Sequence, residues 1–158
     1  MSLIVPSKIE RKLKEEAERK GASEEEFVLK ILSKALDEPL DPDELVEVHL
    51  KLLEKYMNEA EDFLKKGDYV QASKKVWKAA AQAVKALAAK DGREIRSHRE
   101  LQEYAASIIE KDAELRKGWS AAGELHRNFY EAWLPPKLVR GYIEDVKEFL
   151  SRIMRLQR

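Results

Sequence analysis

Residues 41–92 read DPDELVEVHLKLLEKYMNEAEDFLKKGDYVQASKKVWKAAAQAVKALAAKDG, and the helix punctuation in this stretch decides the fold class. Asp41 and Glu44 have the spacing of a capping box, in which the first side chain accepts from a free backbone N–H and the second reaches back to the cap. Pro42 follows at the first helical position, where its missing N–H costs nothing. From there Leu45, Val48, Leu52, Tyr56, Ala60, Phe63 and Leu64 recur with helical period. Gly67 is placed to close this helix in a left-handed conformation, and Asp68 with Gln71 opens the next. That second helix carries Ala79-Ala80-Ala81, Ala83, Ala86 and Ala88-Ala89, small residues that let neighbours approach closely, and Gly92 ends it.

The same grammar extends outward. Ser7 with Glu10, Ser23 with Glu26 and Ser97 with Glu100 read as further capping boxes. Gly21 marks another helix end, and Pro135-Pro136 stops one helix and opens another. Phe27, Val28, Ile31, Leu32 and Ala35 form one apolar face; Val139, Ile143, Val146, Leu150 and Ile153 form another. The pattern predicts seven helices near 7–20, 23–37, 42–66, 69–90, 98–110, 113–134 and 137–156, with one short strand at Ser2–Val5. Short loops imply antiparallel neighbours, so the expected fold is all-α, an up-down helical bundle preceded by a strand-helix-helix module. The two prolines of Asp37-Glu38-Pro39-Leu40-Asp41-Pro42 separate that module, residues 1–38, from a bundle of residues 42–158. Within the sixth helix Gly118 and Gly123 read as close-packing positions, and Trp77 and Trp119 as core anchors.

Composition removes several function classes. The 158 residues suffice to bury a core without a metal or disulfide staple. The absence of cysteine excludes a disulfide scaffold, a thiolate zinc site and a cysteine nucleophile together. No apolar run approaches the roughly 18 residues of a membrane span, and Met1–Pro6 lacks the features of a signal peptide, so a cytoplasmic protein is expected. No glycine-rich phosphate loop follows a strand, and the glutamates occupy caps and charged helix faces. His49, His98 and His126 fall on separate helices without metal-ligand spacing, so neither a metal nor a cofactor is expected.

The formal net charge is zero, but it is unevenly spread. Residues 41–68 carry 9 acidic and 4 basic side chains, whereas residues 74–99 carry 8 basic and 2 acidic ones. This polarity fits two neighbouring helices of opposite sign, or a basic face for an anionic partner such as a nucleotide or RNA. Overall neutrality argues against long non-specific duplex binding.

A short strand followed by two capped helices, Leu3 to Leu36, resembles the ribbon-helix-helix modules of antitoxins and repressors. The resemblance implies a dimer whose strands pair and read DNA. Here alternate strand positions offer only Ser2 and Ile4, or Leu3 and Val5, which cannot hydrogen-bond several base edges. Dimerisation or plain packing is the stronger expectation for this segment.

From Asp41 onward the chain resembles the archaeal PaREP-type proteins. The carriers are Asp41-Pro42, His49, Lys55-Tyr56, the block Gly67 to Ala80, Lys85 to Ala89, Ser97-His98, and Leu125 to Trp133. This resemblance implies a fold more than a reaction. The bundle also resembles the wider HEPN superfamily, which includes nucleotide-associated domains and metal-independent ribonucleases. HEPN ribonucleases carry an arginine, commonly followed by a polar residue, and a histidine four to six positions further on. Arg127-Asn128 matches the arginine and its neighbour, but His126 precedes the arginine; Arg93 and His98 have the spacing, but Arg93 falls in a loop. The binding candidates are therefore His126, Arg127, Asn128, Tyr130, Arg93, Arg96 and His98, with His126 and Arg127 as the catalytic pair of the ribonuclease alternative. His126 and Tyr130 share a helix face, so an imidazole, a cation and a phenol could converge on a phosphate ester. The expected function is a non-catalytic, homodimeric binding module for a nucleotide, an RNA or a protein partner; the alternatives are a ribonuclease or a DNA-binding antitoxin-like regulator.

Overall fold

The computed structural model describes residues 2–157. Its seven helices are α1 (Ser7–Arg19), α2 (Glu24–Ala35), α3 (Pro42–Lys65), α4 (Tyr69–Lys90), α5 (His98–Lys111), α6 (Leu115–Glu131) and α7 (Pro136–Gln157). No strand forms among the described residues, which corrects the expectation for Ser2–Val5: this segment is irregular and exposed. A single strand has no ladder to join, and its backbone groups are left to water. No ribbon of a ribbon-helix-helix module forms among the described residues, and the α1–α2 helix pair stands without it.

Local signals explain most boundaries. Ser23 and Asp41 build complete capping boxes with Glu26 and Glu44. Ser97 accepts from the Glu100 N–H, but the Glu100 carboxylate takes the Arg96 N–H at 2.6 Å instead of the cap's own. Ser7 does not cap: Pro6 is the N-cap, and its carbonyl accepts from the Ile9 and Glu10 amides. The sixth helix stops at Glu131, earlier than its sequence period implies. There Ala132 turns left-handed (φ 48°), and the Asn128 side-chain oxygen accepts from the Trp133 and Leu134 amides at 3.0 and 2.9 Å.

The fold is organised around α4, which packs against α3, α5, α6 and α7. Fifteen of its 22 residues are buried, eight of them alanines, so neighbours close in from several sides. With α3 it forms an antiparallel hairpin: Glu59 meets Lys75, Tyr56 lies beneath Lys78, and His49 meets Gln82. Trp77 and Trp119 are both buried, with ring centroids 5.3 Å apart, and Phe149 of α7 continues the cluster at 5.9 Å from Trp119. Gly118 is a true close-packing point, where an added Cβ would lie 2.2 Å from the Phe149 Cβ. Gly123 faces open space, contrary to its expected packing role.

α1 and α2 pack on each other, and neither lies backbone-to-backbone against α3–α7. The turn between them does touch the bundle. Gly21 takes φ +65°, and a Cβ there would stand 2.8 Å from the His98 amide nitrogen, so the close approach and the left-handed conformation both call for glycine. Otherwise the attachment runs through side chains. Glu25 accepts from the Tyr56 hydroxyl and from Lys55 at 3.1 Å, while Glu26 pairs with Lys85. Little apolar surface is covered, and Leu3, Ile4, Ile9, Ile31, Leu32 and Leu36 remain exposed, Ile4 to 99%.

Candidate functional site

Lys74, Trp77, Lys78, Ala81 and Lys85 stand at i, i+3, i+4, i+7 and i+11 along α4, which places them on one face of that helix. This face looks toward α1 and α2, and the space between is a cavity of about 430 Å³. One wall is aromatic. The His126 ring of α6 lies flat on Trp77, with centroids 4.3 Å apart and planes 4° from parallel. Tyr130, one helical turn further, meets His126 edge-on at 5.4 Å, and His98 at the start of α5 adds a second imidazole at 6.3 Å.

The opposite wall is supplied by α1 and its turn. The Glu18 carboxylate accepts from the Tyr130 hydroxyl at 2.7 Å, and its carbonyl accepts from His98 Nε2 at 3.3 Å. At the floor lies a buried polar cluster. Lys85 donates to both Glu26 oxygens at 3.0 Å and to the Gly21 carbonyl at 2.9 Å. Glu26 also takes the Ser23 amide at 2.6 Å, while His49 Nδ1 faces the Gln82 amide oxygen at 2.7 Å and Glu26 at 3.5 Å.

Lys74 and Lys78 are different from Lys85. Both are partly buried, and neither forms an ion pair with a carboxylate among the described residues. Their ammoniums rest over aromatic rings instead, Lys74 over Phe129 and Lys78 over Tyr56, each at 4.6 Å from the centroid. Burial, and then the like charge of Lys75, push both below the ordinary lysine range. Such cations are incompletely compensated, and an anion entering the cavity would relieve that. His126 is held below the usual imidazole value, chiefly by burial and next by His98, with Glu18 opposing, so it is neutral near pH 7 and offers one donor and one acceptor. Tyr130 is pushed up to about 12 by burial and by its bond to Glu18, so it remains a phenol.

The candidates from the sequence separate into three groups. His126, Tyr130 and His98 come together in this cavity. Arg93 and Arg96 line a second one, on the other side of the Glu26–Lys85 pair, and are discussed below. Arg127 and Asn128 join neither. Arg127 is exposed, bonded to Glu131 at 3.1 Å and stacked over Trp133, itself half exposed rather than packed in the core. Asn128 is 1% exposed and donates to Ser73 Oγ while accepting from the two amides that end α6. Neither arginine–histidine pairing proposed from spacing is assembled within the chain: Arg127 and His126 diverge, and Arg93 stacks on Tyr104. Sequence reasoning passed over Lys74, Lys78 and Lys85 as individuals and took Trp77 only as core. Their common i, i+3, i+4, i+11 spacing was the available signal.

No helix among the described residues is long and apolar enough to cross a membrane, and no cluster of three His, Asp or Glu side chains stands ready for a metal among them. The profile described as the archaeal PaREP1/PaREP8 family matches residues 48–150. Among solved structures, the crystal structure of a protein from Sulfolobus solfataricus is similar at 31% identity and a TM-score of 0.59, covering 66% of this chain and 94% of that one. No curated protein matches the sequence.

Proposed function

Because the chain belongs to the archaeal PaREP1/PaREP8 family, whose matched segment contains both the α4 lysine stripe and the His126 wall, we propose that it is a non-catalytic binding protein for a phosphate-bearing nucleotide. The observation that carries this reading is the pair Lys74 and Lys78, partly buried without a carboxylate partner among the described residues, beside the flat Trp77–His126 stack. A base can stack where the aromatic wall is exposed to the cavity, and a phosphate satisfies the two ammoniums. The volume of about 430 Å³ falls in the range of small-molecule sites. In this reading the bundle, residues 42–158, is HEPN-like, with the long helices α3, α4, α6 and α7 as its frame, and residues 1–38 form a separate unit that covers its binding face.

Titration calorimetry with AMP, adenosine and inorganic phosphate tests the site. AMP binds, adenosine binds at least tenfold more weakly, and Lys78→Glu abolishes the difference between them. Equal affinity for AMP and adenosine, or AMP binding that survives both Lys74→Glu and Lys78→Glu, overturns the nucleotide reading. A 5′-phosphorylated RNA oligomer included in the series separates a nucleotide site from an RNA one. Its cleavage in the presence of a chelator, lost with His126→Ala, would favour the ribonuclease alternative instead.

We further propose a homodimer formed through the helix pair. The support is the apolar surface that α1, α2 and the preceding segment leave in water, including Ile4, Ile31, Leu32 and Leu36. Light scattering on the full chain is expected to give twice the mass of one chain, and Ile31→Glu with Leu32→Glu is expected to give a monomer of unchanged helicity. A monomeric full chain refutes this assembly.

A further inference from the structure

The Glu26–Lys85 pair has a cavity on each side, and the second, of about 480 Å³, lies between α2, the start of α3 and the loop joining α4 to α5. Its floor is apolar: Phe27, Leu45, Val48 and Ile95 line it. Its rim is strongly basic. Six Lys and Arg side chains line the cavity against three carboxylates. One of the three, Glu26, is committed to Lys85, and another, Glu94, is shared between Lys30 at 3.4 Å and Arg96 at 3.6 Å. Lys34 and Arg93 have no carboxylate partner among the described residues.

The deep end carries a directed polar atom. His49 lines this cavity, and its Nδ1 faces the Gln82 amide oxygen at 2.7 Å and the Glu26 carboxylate at 3.5 Å. Both of those groups accept and a carboxylate cannot donate, so the imidazole proton resides on Nδ1. Nε2 is then a free lone pair, and no side chain or backbone group among the described residues takes it up. An apolar floor, a surplus of positive charge at the rim and one acceptor at the far end define a ligand by its complement.

We propose that this second cleft binds a small amphipathic carboxylate: its carboxylate meets the Arg93 and Lys34 rim, its apolar body covers Val48 and Ile95, and an O–H or N–H at its other end donates to His49 Nε2. A neutral apolar molecule would leave the rim cations unmatched, and a cation would be repelled by them. Each of the three contacts can be varied separately in the ligand. The site is distinct from the nucleotide cavity: the two share Ala22, Glu26 and Lys85, but Lys74, Trp77, Lys78 and His126 line only the first.

The probes are indole-3-acetate, which has a carboxylate, an aromatic body and an N–H; 1-naphthaleneacetate, which lacks the donor; and tryptamine, which replaces the carboxylate by an ammonium. Calorimetric titration of the full chain is expected to show indole-3-acetate binding at submillimolar concentration, 1-naphthaleneacetate roughly fivefold weaker, and no tryptamine binding. Arg93→Glu, at an exposed position, is expected to weaken indole-3-acetate at least tenfold. His49→Phe is expected to bring the two acids to equal affinity. Lys78→Glu, in the other cavity, is expected to leave indole-3-acetate unchanged. Failure of both acids to bind at millimolar concentration overturns the proposal, as does binding that Arg93→Glu leaves intact or that Lys78→Glu removes. Because the nucleotide titration reads a different cavity, either reading can fail while the other stands.

Discussion

Gly118→Ala is expected to lower the thermal unfolding midpoint by roughly 4–8 °C, although alanine is the better helix former. The new methyl would sit 2.2 Å from the Phe149 Cβ and 2.9 Å from the Asp145 carbonyl oxygen. Neither is the end of a flexible side chain, so relief requires α6 and α7 to move apart. That separation would loosen Phe149 against Trp119, and through it the contact with Trp77. Overpacking costs about 1–3 kcal/mol, and a 2.2 Å approach belongs at the upper end, so the propensity gain of about 1 kcal/mol offsets only part of it. Gly123→Ala supplies the control, since nothing stands within 4 Å of its Cβ position. It is expected to raise the midpoint by a few degrees, through helix propensity and a less flexible unfolded chain. Differential scanning calorimetry on the two variants checks both signs at once. Equal shifts would contradict the packing described for the α6–α7 contact.

Glu26→Ala is expected to release α1 and α2 while leaving the bundle folded. The substitution takes the counter-ion from Lys85, whose side chain is 5% exposed, and removes the acceptor of the Ser23 amide. A buried ammonium deprived of its partner costs about 3–5 kcal/mol if the surroundings stay closed. The helix pair can avoid that cost by lifting away and hydrating Lys85, because little apolar surface holds it down. Hydrogen exchange should therefore show lost protection in residues 7–35 and retained protection in α4. The double change Glu26→Gln with Lys85→Met removes both charges and is expected to restore most of the docking. Loss of protection in α4 equal to that in α2, or no loss in either, would contradict this account.

Acid should produce the same release. Burial alone would raise Glu25, but bonds from the Tyr56 hydroxyl and Lys55 outweigh it and bring its pKa to about 2; Glu26 is likewise lowered, since Lys85 and the Ser23 amide overcome its burial. A carboxylate with a depressed folded pKa contributes stability that is complete above its unfolded value and lost as pH falls through the folded one. For Glu25 that window runs from about pH 4.5 to about pH 2. His49 adds an earlier loss. Burial lowers its pKa despite Glu26 and Gln82, so it favours the docked state above about pH 6.5 and progressively less below. The amide signals of Ser23 and Glu26 report docking across both windows.

The features legible in the sequence are those whose causes are local. Ser23 with Glu26 and Asp41 with Glu44 can be recognised from spacing because both partners of each bond lie within one helical turn. The end of α6 could not, because Asn128 is fixed in part by Ser73, 55 positions away, and its conspicuous place beside Arg127 suggested a ligand contact instead. The site was half legible. The Lys74–Lys78–Lys85 stripe is written in the period of α4, and the basic surplus there was visible. What covers it was not: Glu18, Glu25 and Glu26 look in sequence like ordinary first-turn or solvated glutamates, and only the fold brings them to Tyr130, Tyr56 and Lys85. Gly118 and Gly123 make the same point, since identical residues five apart on one helix lie about 140° apart around its axis, the first against α7 and the second exposed.

The position of α1 and α2 has a consequence for rates. α2 and the turn before it border both cavities, α1 borders the first, and Glu26 with Lys85 stands between the two. A solute too large for the mouth of either one gains entry only when the helix pair lifts, so for it capture and partial lifting become sequential steps. Observed association rates should then rise with concentration only until lifting becomes limiting, and level off at a value set by the protein alone. That ceiling should be the same for unrelated solutes and should climb with ionic strength, as screening loosens the exposed part of the clasp.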